Sequence, residues 1–181
     1  EWNYLPASNP DGAASLPDLI LTSGPEGIDI LTEYGVPPAR MKTGGALRTD
    51  TFEAVPYDPD GPAFVALPFD ADIARQMMEA IRPLGAQGRR FAVKAHPMAP
   101  FAFADSPGIS QTDLPLGRHP GLAGVLYSAT TVGLEAVLRG LPTLRFRPAG
   151  KVPTDVIPSA LDVPSVDARD LAAAMAQMTL P

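Results

Sequence analysis

The chain contains no cysteine, so disulfide bonds and thiolate metal sites are excluded. No apolar run reaches the roughly 20 residues that a membrane-spanning helix needs. A basic excess is also missing: the net charge is -6, which argues against nucleic-acid binding because that function needs a basic face. The sequence begins with Glu1 and Trp2, without a signal pattern or an initiator methionine, so we expect it to be cut from a longer protein.

Several enzyme signatures are missing too. There is no G-x-G-x-x-G after a strand, no G-x-S-x-G and no P-loop, which weakens dehydrogenase, hydrolase and kinase interpretations. What is present suits a folded α/β chain, because 45% of the 181 residues are apolar and can fill a core. The 22 prolines fall mostly between periodic segments, where they punctuate loops.

Short apolar runs alternate with segments of helical periodicity, a pattern that predicts parallel βαβ units. The predicted strands are residues 18–22, 41–47, 63–67, 91–95, 121–127 and 142–146. We therefore predict an α/β fold, a Rossmann-like parallel sheet flanked by helices. Gly24, Asp70 and Asp167 are predicted to cap helices, and residues 97–117 are predicted to form a long irregular loop.

The domain organisation follows from the changes in composition along the chain. Residues 1–16 are polar, contain proline and lack periodicity, which predicts an arm. Residues 49–62 are acidic and rich in proline, which predicts a linker. Residues 63–181 are predicted to form the Rossmann-like domain.

A basic loop follows the predicted strand at residues 91–95. Lys94 and His96 lie two residues apart, so they share a face if the strand persists that far, and they can converge on one ligand. Parallel sheets bind ligands at the carboxyl ends of their strands, and a histidine there can stabilise a leaving phosphate. The alternatives are a histidine satisfied by a loop carbonyl and a solvated lysine.

A turn rich in hydroxyl groups follows the strand at residues 121–127. We call residues 128–131 the hydroxyl turn; it contains Ser128, Thr130 and Thr131 and runs into a helix. These hydroxyls can cap the helix, and the same helix start attracts phosphate. Glu135, in the first turns of that helix, either complements the helix dipole or binds a ribose hydroxyl.

Two further groups of charged residues have simpler explanations. The D-x-D pairs at residues 58–60 and 70–72 fit the loose pattern of metal-dependent sugar transferases. The first pair lies in a proline-rich loop and Asp70 serves as a helix cap, so we assign no metal site. Arg145 and Arg147 alternate at a strand end, where they are either solvated or close to a ligand.

These motifs together resemble a family. The segment Lys94-Ala95-His96-Pro97 resembles the K-x-H-P segment of GT-B glycosyltransferases of the bacterial capsule, polysialyltransferase and Kdo-transferase type. The hydroxyl turn, with the later Glu135-Ala136 and the G-x-P at residues 140–142, resembles their serine/threonine-rich turn and the elements that follow it. The spacing also resembles teichoic-acid glycerophosphotransferases.

The resemblance extends over most of the chain. It covers residues 63–178, and residues 18–48 are more loosely similar to the last strand-helix-strand of a GT-B amino-terminal domain. The resemblance thereby implies that residues 1–48 are an arm and a remnant of the partner, acceptor-binding domain. The hydroxyl turn reads Ser-Ala-Thr-Thr, whereas paired serines are common in the sialyl branch, so the donor type stays open.

The resemblance implies a donor-binding domain that transfers a sugar from a CMP- or UDP-linked nucleotide-sugar without a metal or a further cofactor. His96 would be catalytic, and Ser128, Thr130 and Thr131 would bind the donor phosphate, with Glu135 near the ribose. Its implied partners are a polysaccharide or lipid-linked glycan acceptor and the missing amino-terminal domain. It also implies a cytoplasmic location at the inner face of the membrane, with peripheral membrane association of the full-length protein.

Two other functions stay open on the residues alone. One is a non-catalytic nucleotide-binding or assembly module that keeps the hydroxyl turn but gains nothing from His96. The other is a GT-B-like sugar-nucleotide epimerase, which needs further acids and a histidine in the missing half. If the chain is the donor half of a transferase, we expect it to bind nucleotide without turnover.

Overall fold

A computed structural model describes residues 11–45, 53–151, 157 and 161–178. The chain forms two compact units, Glu1–Thr51 and Phe52–Pro181. The division falls near the start of the predicted linker at residues 49–62. From residue 55 onward, however, the predicted linker packs into the second unit: Val55 is buried in its core, and Tyr57 forms a β-bridge with Leu122.

Residues 11–45, the described part of the first unit, contain one βαβ element. Strand β1 (Ile20–Thr22) leads into helix α1 (Pro25–Glu33), and strand β2 (Met41–Thr43) pairs with β1 in parallel. Gly24 is the N-cap and Pro25 opens the helix, as predicted, because proline has no N–H to lose at a helix start. The second strand was predicted to reach residue 47 but ends at Thr43; residues 46 and 47 lie outside the described part.

The described residues of the second unit form the main sheet, three α-helices and a short 3-10 helix at Leu116–Arg118. Its elements are β3 (Ala63–Ala66), α2 (Ala71–Ala86), β4 (Phe91–Lys94), β5 (Ile109–Gln111), β6 (Gly124–Tyr127), α3 (Val132–Leu138), β7 (Thr143–Phe146), β8 (Ser165–Val166) and α4 (Leu171–Ala176). The six strands are all parallel, in the order β5-β4-β3-β6-β7-β8. The predicted Rossmann-like α/β fold is confirmed.

Each face of the sheet has its own core, because successive strand residues point to opposite sides. Val65, Val93 and Phe146 pack with helices α2 and α4 on one face. Phe64 and Tyr127 pack with helix α3 on the other face. Strands buried on both sides read as continuous apolar runs, which is why β3, β4 and β6 were visible in the sequence.

Two parts of the sequence prediction are wrong in detail. The long loop predicted at residues 97–117 contains strand β5, which pairs with β4. Asp167 was predicted to cap the last helix, but that helix begins at Leu171 with Asp170 at its N-cap. Asp167 instead accepts the backbone N–H groups of Arg169 and Asp170 and so closes the turn before the helix.

The strand order decides where a ligand fits. From β3 the chain proceeds outward to β4 and β5 on one side of β3, and then crosses to β6, β7 and β8 on the other side. This order is the doubly wound arrangement whose ligand crevice opens where the strand order reverses, at the carboxyl ends of the strands. The reversal point lies between β3 and β6, so the loops after β3, β4 and β6 are the candidate ligand loops.

Candidate functional site

His96 follows β4 at the carboxyl edge of the sheet. Its Nδ1 accepts a hydrogen bond of 3.3 Å from the backbone N–H of Met98. A neutral imidazole with Nδ1 as acceptor carries its proton on Nε2, so Nε2–H is the donor that a ligand can use. The ring meets Phe69 edge to face, with 5.6 Å between ring centroids and 85° between planes.

Phe69 is a site residue that the sequence reasoning missed. It follows β3 at the reversal point, and 61% of it is exposed. Buried Pro68 precedes it and Asp70 fixes the start of α2 behind it, so its backbone is held on both sides. The available sequence signal was a large aromatic residue directly after an apolar strand. Most such residues are buried in the core, so an aromatic residue that stays exposed at this place indicates a contact surface.

Lys94 does not stand free beside His96. Its Nζ donates a hydrogen bond of 2.6 Å to the backbone carbonyl of Asp113, in the segment after β5. Lys94 therefore ties two neighbouring loops of the carboxyl edge together. The predicted convergence of Lys94 and His96 on one ligand stays a prediction.

His119 is a buried histidine in the chain segment that leads from β5 to β6. It is 9% exposed, and its ring packs edge to face against the ring of Phe64, with 5.2 Å between the ring centroids. Its Nε2 has no hydrogen-bond partner in the described part of the chain. Burial lowers the pKa of His119; a hydrogen bond with the Leu114 backbone raises it, and the charge of Lys94 lowers it further. The folded chain therefore favours neutral His119.

The hydroxyl turn lies directly after β6. Ser128 is fully buried, and its Oγ has no hydrogen-bond partner among the residues that the structure describes. Thr130 Oγ1 accepts a long bond of 3.4 Å from the N–H of Val132, and Thr131, at the N-cap of α3, makes no side-chain capping bond. Capping therefore engages Thr130 alone. The Thr131 hydroxyl is exposed, whereas the Ser128 hydroxyl is buried and unpartnered among the described residues, so its predicted contact with a ligand stays a prediction.

The turn is held in an uncommon conformation. Ala129 has a φ of 49°, in the left-handed region that residues with a Cβ rarely adopt. Such conformations persist where the surrounding structure enforces them, and they cluster at ligand sites. Helix α3 is only seven residues long, so its dipole is small and the hydroxyls carry most of the potential for ligand binding.

Gly133 lets α3 lie close to β6. A Cβ at this position would stand 2.5 Å from Cζ and 2.6 Å from Cδ2 of Tyr127, whose ring is fully buried. Only glycine allows that approach, so Gly133 sets the distance between the hydroxyl turn and the sheet.

Glu135 has a partner within its own helix. Its Oε1 accepts a bond of 2.9 Å from Nε of Arg139, one helical turn later, and Nη1 of Arg139 donates at 2.5 Å to the carbonyl of Glu53. The Arg139 side chain is largely buried, so the pair fixes α3 to the start of the second unit. A ribose ligand would have to use the second carboxylate oxygen of Glu135.

Both D-x-D pairs have structural roles. Asp58 accepts the backbone N–H of Asp60 within a turn. Asp70 caps α2, as predicted, by accepting the N–H groups of the two residues that follow Ala71. Both Asp70 and Asp72 also bind Nζ of Lys151, at 2.6 Å and 3.2 Å. The Lys151 hydrogen bond, followed by the bond from Ile73, lowers the pKa of Asp70.

A cleft of about 760 Å³ opens at the carboxyl ends of β7 and β8, between α2 and the turn before α4. We call it the β7–β8 cleft; its charged and polar lining consists of Gln76, Arg145, Arg147, Lys151, Asp167 and Arg169. A second cavity, of about 480 Å³, lies at the opposite edge and is lined mainly by apolar residues around Pro142 and Met178. Ligands of parallel sheets bind at the carboxyl edge, so the β7–β8 cleft is the relevant one.

No group of three or more His, Asp or Glu residues that could hold a metal ion occurs in the described residues. None of the described helices is long and apolar enough to cross a membrane. No protein-family model matches the chain. No curated protein sequence matches it either.

Proposed function

We propose that the second unit is the donor-binding domain of a GT-B glycosyltransferase. The protein would transfer a sugar from a nucleotide-sugar to a polysaccharide or other glycan acceptor. The observation that carries this proposal is the position of His96 and the hydroxyl turn, which follow the two strands on either side of β3 at the reversal point. Rossmann-like sheets bind nucleotide phosphates in such a crevice.

In this proposal the donor phosphate lies between His96 and the hydroxyl turn. Nε2–H of His96 and the Thr131 hydroxyl donate hydrogen bonds to its oxygens, and Thr130 contributes beside its weak capping bond. Ser128 would join them only after its buried hydroxyl is uncovered. When the bond between sugar and phosphate breaks, the phosphate oxygen keeps the electron pair and gains negative charge. Donors already in place stabilise that charge without reorganising. The acceptor's proton passes to a base outside this unit.

Lys94 and Glu135 have supporting roles in the proposed site. Lys94 fixes the segment after β5 through Asp113, beside the loop that contains His96. Glu135 reaches a ribose hydroxyl through Oε2, the oxygen that its pair with Arg139 leaves free. An enzyme of this class would act at the cytoplasmic face of a membrane, where lipid-linked glycans are extended.

Calorimetry with CMP, CDP, UDP, GDP and NAD tests the proposal on the 181-residue chain. We expect saturable binding of one pyrimidine nucleotide, and about tenfold weaker binding by His96→Ala, the effect of losing one charge-assisted hydrogen bond. Thr131→Val should weaken binding as well, whereas Ser110→Ala, which removes an exposed hydroxyl from β5, should not.

The outcomes separate the candidate functions. Binding that needs Thr131 but not His96 would favour the non-catalytic nucleotide-binding module over the transferase. If none of the five nucleotides binds, the proposed phosphate site is wrong in this chain.

A further inference from the structure

The β7–β8 cleft collects positive charge in an acidic protein. Four of the 14 Lys and Arg residues line it (Arg145, Arg147, Lys151 and Arg169), together with a single carboxylate, Asp167. The chain as a whole carries a net charge of -6. A cleft that concentrates one sign of charge attracts a ligand of the opposite sign.

The walls of the cleft are fixed by side-chain contacts. Gln76 binds Ala149 twice: its Oε1 accepts the backbone N–H at 2.7 Å, and its Nε2 donates to the carbonyl at 3.3 Å. Lys151 is held by Asp70, the N-cap residue of α2. A binding site whose walls are held before the ligand arrives loses less free energy on ordering.

Among the described cations that line the cleft, Arg147 is left for a ligand, since Arg145 already has a partner. Lys151 is neutralised by Asp70, and Arg169 pairs with Asp167 at 3.1 Å. Arg147 is exposed, and its guanidinium makes no ion pair or hydrogen bond with the described residues. Its backbone N–H is bound to the carbonyl of Val166, which fixes where the side chain begins.

Arg147 and the hydroxyl turn follow neighbouring strands. Tyr127, the last residue of β6, is in register with Arg145 of β7; the hydroxyl turn begins directly after Tyr127, and Arg147 lies two residues after Arg145. Neighbouring strands stand about 4.8 Å apart, so one extended ligand reaches both loops.

We propose that the β7–β8 cleft is a second oxyanion site, in which Arg147 binds a phosphate or carboxylate of the ligand beyond the phosphate at the hydroxyl turn. This inference rests on the proposed function for the first phosphate. The second oxyanion is either the outer phosphate of a nucleoside diphosphate or the carboxylate of an acidic sugar. A guanidinium binds both groups with the same forked geometry.

Calorimetry with matched ligands tests the site. We expect the wild-type chain to bind a nucleoside diphosphate about tenfold more tightly than the monophosphate, and Arg147→Gln to lose that preference. Arg118→Gln, which neutralises an exposed arginine outside the cleft, should keep it. If mono- and diphosphate bind equally, the second oxyanion should be the carboxylate of an acidic sugar. The wild-type chain should then bind a nucleoside monophosphate that carries an acidic sugar about tenfold more tightly than one that carries a neutral sugar, and Arg147→Gln should lose that preference.

The inference is wrong if neither pair of ligands shows a preference, or if Arg147→Gln and Arg118→Gln behave alike. If no nucleotide binds, the proposed function fails, and the cleft is tested alone by titrating pyrophosphate and following backbone amide NMR signals. Shifts confined to residues 147–151 and 167–169, absent in Arg147→Gln, would support the cleft. Signals that stay in place would overturn it.

Discussion

Gly133→Ala should destabilise the second unit and loosen its ligand site together. The new Cβ would stand 2.5 Å from Cζ of Tyr127, closer than carbon atoms in contact can lie, and the fully buried ring has no room to retreat. Overpacking of this kind costs about 3 kcal/mol at the upper end of its range. Alanine recovers about 1 kcal/mol of helix propensity over glycine. The net loss is therefore about 2 kcal/mol.

Thermal unfolding followed by circular dichroism measures this loss. For a unit of this size, about 2 kcal/mol lowers the midpoint by roughly 8 °C. Leu138→Ala is the matched control, because it introduces alanine on an exposed position of the same helix and should leave the midpoint nearly unchanged. The double variant Gly133→Ala with Tyr127→Leu should lose less stability than the sum of its parts.

Gly133→Ala should also affect the ligand site, because Thr131 lies two residues before Gly133 at the start of the same helix. A helix pushed off β6 carries Thr131 with it, so Gly133→Ala should weaken nucleotide binding even where the variant is folded. A variant as stable as wild type would refute the close approach of α3 to Tyr127.

Two other predictions concern buried polar groups. Burial lowers the pKa of folded His119 below its unfolded value of about 6.5, so the stability that neutral His119 contributes is complete above that pH and is lost as pH falls toward the folded pKa. His119→Gln should therefore flatten the pH dependence of urea midpoints measured between pH 5 and 7.5. An unchanged pH dependence would contradict the assignment. Arg139→Ala should lower the free energy of unfolding by about 2 kcal/mol, because it breaks a partly buried ion pair and the hydrogen bond to the Glu53 carbonyl. Glu135→Gln should lower it by less. Equal losses for the two variants in guanidinium chloride unfolding would contradict this order.

The fold could be predicted because its central strands carry an unambiguous signal. β3, β4 and β6 are apolar along nearly their whole length, since both faces of a parallel sheet are buried. β5 and β8 each bury a single residue, Ile109 and Val166, so their sequences resemble loops. Only pairing with a neighbouring strand makes those segments strands.

The site could be predicted less completely. His96 and the hydroxyl turn were visible because they follow recognisable strands. Their surroundings depend on residues distant in sequence, such as Lys151, which binds Asp70 across 81 positions. Sequence spacing carries no information about such contacts, so the partner of Lys94 and the β7–β8 cleft emerge only from the folded chain. The pair of Glu135 with Arg139, by contrast, has the i,i+4 spacing of neighbours on a helix.

The position of the phosphate in a complex with the nucleotide that binds best tests the central claim most directly. A crystal structure of that complex is predicted to show phosphate oxygens within hydrogen-bond distance of Nε2 of His96 and of the Thr131 hydroxyl. A nucleotide bound instead at the opposite edge of the sheet, in the apolar cavity around Pro142, would contradict the account.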